Sequence, residues 1–162
     1  MAADVDVLVA ELRKFGAEAT AVEVKRAAGG LPKSARETLS AFSNTPGGGT
    51  LVLGLDEASG FTAFGLDDPS KMMADLASMC REDIVPPLTP EISIAEIDGR
   101  PILVADIPEL AKGQKPCYVR SLGKERGSYI RVGESDRRLT SEEVQQIVAD
   151  RGQPCPDAGA RP

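Results

Sequence analysis

The stretch AFSNTPGGGTLVLGL, residues 41–55, decides the fold. A helical segment ends in Asn44-Thr45-Pro46, passes through Gly47, Gly48 and Gly49, and runs directly into an apolar strand. A glycine-rich turn beside a strand suggests a phosphate loop. Such a loop, however, follows a strand and opens a helix, so that N–H groups at the helix start meet the anion, and a Lys follows its glycines. Here the order is reversed and no Lys follows. A dinucleotide-binding fingerprint fails on the same ordering. The glycines are read instead as an elbow that lets the chain leave a helix with positive φ and pass close beneath other backbone.

Upstream, Val5, Leu8, Leu12 and Phe15 recur at helical spacing and predict an N-terminal helix over residues 1–15. In TAVEVK, residues 20–25, Val22 and Val24 share one strand face and Glu23 and Lys25 the other. Ser34 with Glu37 reads as a capping box opening the helix that Pro46 stops. TLVLGLD, residues 50–56, is apolar on both faces, as a central strand is. Downstream come an EASG turn, a short FTAFGL strand, and a helix opened by Asp68-Pro69 that carries Met72, Leu76, Met79 and Cys80. EISIAEI and PILVADI flank Asp98-Gly99, a strong hairpin signal. CYVRSL and SYIRVG read as a second strand pair around a charged GKERG loop, and Thr140 with Glu143 caps a last helix bearing Val144, Ile147 and Val148. The expected architecture is a single compact α+β domain over residues 16–151, with a mixed or largely antiparallel sheet and helices packed on it. Residues 152–162 lack periodicity and are expected to be a disordered tail.

Composition narrows the chemistry. The 162 residues include no His, so a His triad, a His base and a His metal ligand are excluded. Cys80, Cys117 and Cys155 are odd in number, lack metal-ligand spacing and suit free thiols in a reducing cytoplasm. No apolar run is long enough to span a bilayer and no signal peptide opens the chain, so a cytoplasmic protein without membrane contact is expected. Net charge is −6, yet residues 112–138 hold eight basic and three acidic residues, +5 against −11 elsewhere. A local basic face on an acidic protein is a candidate polyanion site; solvated loops are the alternative.

Four separated motifs, in order, resemble the Schlafen-type Alba-like domain, also called the divergent AAA-associated domain. They are Glu18 followed by Glu23-Val24-Lys25; Ala41-Phe42-Ser43-Asn44-Thr45 with its glycines; Gly54-Leu55-Asp56-Glu57 with Gly60; and the closing KPCYVRSLGKERGSYIRVGESDRRLT segment. The likeness covers roughly residues 16–150. It departs where Ala19 stands for a common Ser and Val24 for a common Phe. It implies a nucleic-acid-binding module, DNA or RNA, with a regulatory role in transcription and no cofactor for binding. Family nucleases imply an alternative, a divalent-metal-dependent nuclease with Glu18, Glu23 and Asp56 as catalytic and metal-binding residues. Carboxylates alone suit Mg²⁺ or Mn²⁺, which need no His. A third reading is a protein-interaction module.

For nucleic acid, the candidate phosphate ligands are Arg120, Lys124, Arg126, Arg131, Arg137 and Arg138, with Lys124 and Arg126 at a hairpin tip. Tyr118 and Tyr129 alternate with Val and Ile and offer rings for base stacking. Schlafen cores resemble two such lobes around a groove, which implies a homodimer here, with FTAFGL or SYIRVG as the pairing strand.

Overall fold

Val5, Val9 and Leu12 are buried on one side of helix α1, Ala2–Phe15, whereas Phe15 is exposed, so the apolar stripe runs through Val9 rather than Phe15. The computed structural model describes residues 2–16 and 21–151; Glu18 and the expected tail lie outside the described residues. Strand β1, Val22–Lys25, follows, and then helix α2, Ala35–Asn44. The elbow leads into β2, Gly49–Leu53. Short strands β3, Leu55–Asp56, and β4, Thr62–Ala63, pair with each other. Helix α3, Pro69–Glu82, has Asp68 as N-cap, its carboxylate accepting from the Lys71 N–H at 3.1 Å. Next come β5, Ile84–Val85, then β6, Glu91–Ile97, and β7, Arg100–Ile107.

The main sheet has the order β1-β2-β7-β6, with β1 parallel to β2 and the other pairs antiparallel. This is the expected mixed sheet. Its central strand alternates as the sequence predicts. Leu51 and Leu53 enter the core beneath α2 and α3, and Val52 enters the core beneath α1. The molecule is thus three layers, with α1 on one face of the sheet and α2 with α3 on the other. Asp98 and Gly99 both have positive φ, 54° and 76°, which makes the β6–β7 turn the type I′ connection that Asp-Gly favours.

The C-terminal third departs from expectation at its first strand pair. β8, Tyr118–Val119, pairs with β5, and the GKERG segment winds into a short helix, α4, Gly123–Gly127. β9, Tyr129–Val132, takes β10, Ser135–Arg138, as its ladder partner, and of the expected pair a single antiparallel bridge forms, Tyr118 with Ser128. A Cβ on Gly127 would lie 2.7 Å from the Val119 carbonyl, so the chain folds back too tightly for an open hairpin. Each strand expected to pair in a dimer has one partner within the chain, β4 with β3 and β9 with β10.

Helix α5, Ser141–Arg151, has the expected capping box: the Glu143 N–H donates to Thr140 Oγ1 at 3.1 Å, and the Thr140 N–H donates to the Glu143 carboxylate at 2.8 Å. Those backbone and side-chain bonds hold the Glu143 pKa below its ordinary value. The box expected at Ser34 does not form. Ser34 is itself helical (φ −63°, ψ −14°), because the turn starts earlier, with the Ala35 N–H on the Pro32 carbonyl. Its hydroxyl accepts from Lys25 Nζ at 3.1 Å.

Candidate nucleic-acid interface

The elbow explains how the basic segment is positioned. A Cβ on Gly48, whose φ is +68°, would meet the Ile107 carbonyl at 2.2 Å, and one on Gly49 would meet the Phe42 ring at 2.2 Å. The elbow therefore lies main chain against main chain at the end of β7 and main chain against the α2 ring, a closeness that no residue with a Cβ permits. The Asn of the same motif is buried. Asn44 Nδ2 donates to the carbonyls of Cys117 (2.9 Å) and Tyr129 (2.8 Å), and Oδ1 accepts from the Cys117 N–H (2.7 Å). Ser40 Oγ accepts from the Tyr129 N–H at 3.0 Å and donates to the Cys117 carbonyl at 2.8 Å. Thr45 Oγ1 donates to the Ala41 carbonyl at 2.6 Å and accepts from the Arg131 N–H at 3.0 Å. The last two turns of α2 thus fix β8 and β9 through side-chain bonds to backbone, where no strand ladder reaches.

Arg131 completes this seam. Its guanidinium bonds Asp136 through Nη1 at 2.7 Å, pairs with Glu23 through Nη2 at 2.7 Å, and lies 5.1 Å from the Phe42 ring centroid. The side chain is 6% exposed. Burial works against its charge, but the bonds to Asp136 and Glu23 outweigh it and raise the Arg131 pKa further. Thr38 Oγ1 donates to the other Asp136 oxygen at 2.7 Å. The structure therefore brings Arg131 together with two carboxylates in the interior.

The other candidate cations lie on three elements. Arg120, in the turn after β8, is exposed and its Nε donates to the Glu82 carbonyl at 2.8 Å. Lys124 and Arg126 ride on α4, where Arg126 is exposed and Lys124 half-buried. Arg137 and Arg138 are exposed neighbours on β10 and so point to opposite faces of it. Arg138 shares the Asp136 face, whereas Arg137 is close enough to lower the Glu143 pKa. Of the two tyrosines, Tyr129 is buried in the core. Tyr118 lines an open cleft of about 280 Å³ with Val85, Pro86, Pro116, Lys124 and Arg151. Arg151, whose Nη1 donates to the Lys115 carbonyl at 3.1 Å, escapes a reading by local charge, since it lies at the end of α5, outside the basic stretch.

The metal reading fares differently. The Glu23 carboxylate is held by Lys25 at 3.4 Å as well as by Arg131, and it is 20% exposed. Asp56 stands at the start of the next turn, its carbonyl accepting from the Phe61 N–H at 2.8 Å. Among the described residues no group of three or more His, Cys, Asp or Glu side chains is placed to hold a metal ion. A carboxylate committed to two cations does not fit the open oxygen set that Mg²⁺ or Mn²⁺ requires.

The Schlafen AlbA_2 family model matches residues 18–140. The chain belongs to the Schlafen AlbA_2 family. Among solved structures, this Schlafen AlbA_2 chain is similar to the N-terminal domain of a RecG-related protein from Nitrosomonas europaea. That likeness is 37% identical, has a TM-score of 0.64, and covers 83% of this chain and 92% of that one. It also shares its fold with the DIP2311 protein from Corynebacterium diphtheriae, at 20% identity and a TM-score of 0.58, covering 90% of this chain but 28% of that one. No curated protein matches. Among the described residues, no helix is long and apolar enough to cross a membrane.

Proposed function

We propose that this Schlafen AlbA_2 domain binds nucleic acid through the cleft beside β8. The observation that carries the reading is the cleft's composition: Lys124 and Arg151 offer cations for backbone phosphates beside the half-buried ring of Tyr118, which can stack on a base. Arg120 and Arg126 flank Lys124 in the chain and add exposed positive charge to this segment, and Arg137 and Arg138 add two more cations on β10. Arg131 is left out of the contact set, because two carboxylates neutralise it. The similar Nitrosomonas europaea domain belongs to a RecG-related protein, which favours DNA over RNA as the first target to test. A regulatory role in transcription, inside a reducing cytoplasm, is the finer form of this reading; the buried free thiols of Cys80 and Cys117 suit that compartment.

The test is fluorescence anisotropy with labelled single- and double-stranded DNA and RNA, for the wild type and the double variant Lys124→Glu/Arg151→Glu. Binding at low salt is expected, weakened by the variant to a similar degree on every sequence. The slope of log affinity against log salt should fall by about one unit per phosphate contact removed. An absence of binding at about 50 mM salt, or unchanged affinity in the variant, overturns the reading.

A further inference from the structure

The main sheet has two edges, and the chain treats them differently. β1 is four residues long, and Arg131 reaches across it, with Nη2 3.4 Å from the Val22 carbonyl. β6 is seven residues long, pairs without a bulge to β7 along its whole length, and has no strand on its outer side among the described residues. Edge strands are ordinarily guarded by charged side chains, Pro, bulges or shortness. EISIAEI has charges only toward its ends, Glu91 and Glu96, and no Pro, bulge or charge at its centre.

The type I′ turn fixes which backbone groups are free. In a two-residue hairpin the residues flanking the turn exchange both hydrogen bonds, and bonded and non-bonded pairs then alternate. Ile97 and Arg100 are that closing pair. Ile97, Ala95, Ser93 and Glu91 therefore spend their N–H and C=O groups on β7, whereas Ile92, Ile94 and Glu96 present theirs outward. Ile94 is also an exposed large apolar residue, at 42%.

We infer that β6 is the docking edge for a second copy of this chain, the two β6 strands running antiparallel about a two-fold axis through Ile94. This register uses every outward group. Ile94 pairs with its counterpart, and Ile92 pairs with Glu96 of the other copy in both directions, giving six backbone hydrogen bonds. It also sets Glu91 opposite Ile97, so no carboxylate directly faces another, and like charges directly opposed would be destabilising. The two exposed Ile94 side chains become a cross-strand pair. The edge alone buries less than the roughly 1,200 Å² of a standard interface, so association is weak and appears on concentration. The argument stands apart from nucleic-acid binding.

Sedimentation equilibrium on the full chain, from micromolar to millimolar concentration, reads the association directly. The wild type is expected to move from monomer to twice that mass. Ile94→Lys, which puts like charges together at the axis, and Ile94→Pro, which removes an outward N–H without touching the β7 ladder, should each weaken dimerisation by about tenfold or more. Val132→Lys, at a 47% exposed position on β9, should leave it unchanged. Amide hydrogen exchange supplies a second readout: on concentrating, the Ile92, Ile94 and Glu96 amides should gain protection while those of Ser93 and Ala95, already bonded to β7, stay as they were. A wild type that remains monomeric throughout overturns the inference, as does a dimer that survives both Ile94 variants. Protection of those three amides already in the dilute monomer overturns it too, because the chain itself would then be covering the edge.

Discussion

Helix α1 and the β9–β10 ribbon both attach to the body of the domain, by opposite means. α1 lies on the sheet through Val5, Val9 and Leu12 against Val22, Val52 and Val104, a contact without direction or specific partners. Arg13 adds one polar tie, Nε and Nη2 donating to the Phe61 carbonyl at 3.3 and 3.2 Å and Nη2 to the Asp98 carboxylate at 2.9 Å. The ribbon is held by buried polar groups that each require a particular partner, Asn44 to β9 and Arg131 to Glu23 and Asp136. Apolar attachment tolerates substitution by anything of similar size, whereas polar attachment tolerates almost nothing, since each lost partner strands a buried group. The residues that resemble a functional signature are therefore largely the adhesive of the fold.

The contrast breaks most visibly at Arg131. Arg131→Met leaves Glu23 and Asp136 facing each other without their cation, and the expected loss is about 3–5 kcal/mol by urea denaturation. Adding Glu23→Gln and Asp136→Asn should recover much of it. No recovery would mean that packing against Phe42, rather than charge, holds the ribbon. Asn44→Ala comes next: the Cys117 N–H and the Tyr129 carbonyl lose their partner while the Cys117 carbonyl keeps Ser40 Oγ, and about 2–4 kcal/mol should go with them. The spectroscopic change should be confined to β8 and β9, with α1 resonances unmoved in an NMR spectrum; a uniform shift would show that the two attachments are coupled. Arg13→Ala is expected to be the smallest, about 1 kcal/mol, with only the Asp98 share screened out at high salt. A larger loss would give α1 a polar anchor and erase the distinction.

The same distinction governs what the sequence discloses. The central strand, the Asp98-Gly99 hairpin, the Asp68 cap and the Thr140–Glu143 box are written in neighbouring residues, and each forms as read. The partner of CYVRSL is not local. Tyr118 pairs with Val85 and reaches across the GKERG segment only in a single bridge to Ser128, and nothing in CYVRSL says so. Arg131 illustrates the limit for the candidate site. Its position in a basic stretch suggests an exposed phosphate ligand, but its neutralising partners include Glu23, more than a hundred residues earlier. Charge counted along a chain overlooks pairs formed across it. Arg151 shows the converse, a cation brought to the Tyr118 cleft by the packing of α5.

The contact at Gly48 and Gly49 sets a trap for any mutational survey of the domain. Where an added methyl would land 2.2 Å from the Ile107 carbonyl or the Phe42 ring, even the mildest replacement must push helix and strand apart, and the Asn44 and Thr45 side chains that hold β8 and β9 would be displaced together. In a screen scored by binding alone, these two positions would rank beside true contact residues while touching no ligand. Scored alongside protein abundance, they would fall out of that class, and the surviving sensitive positions would trace the real surface.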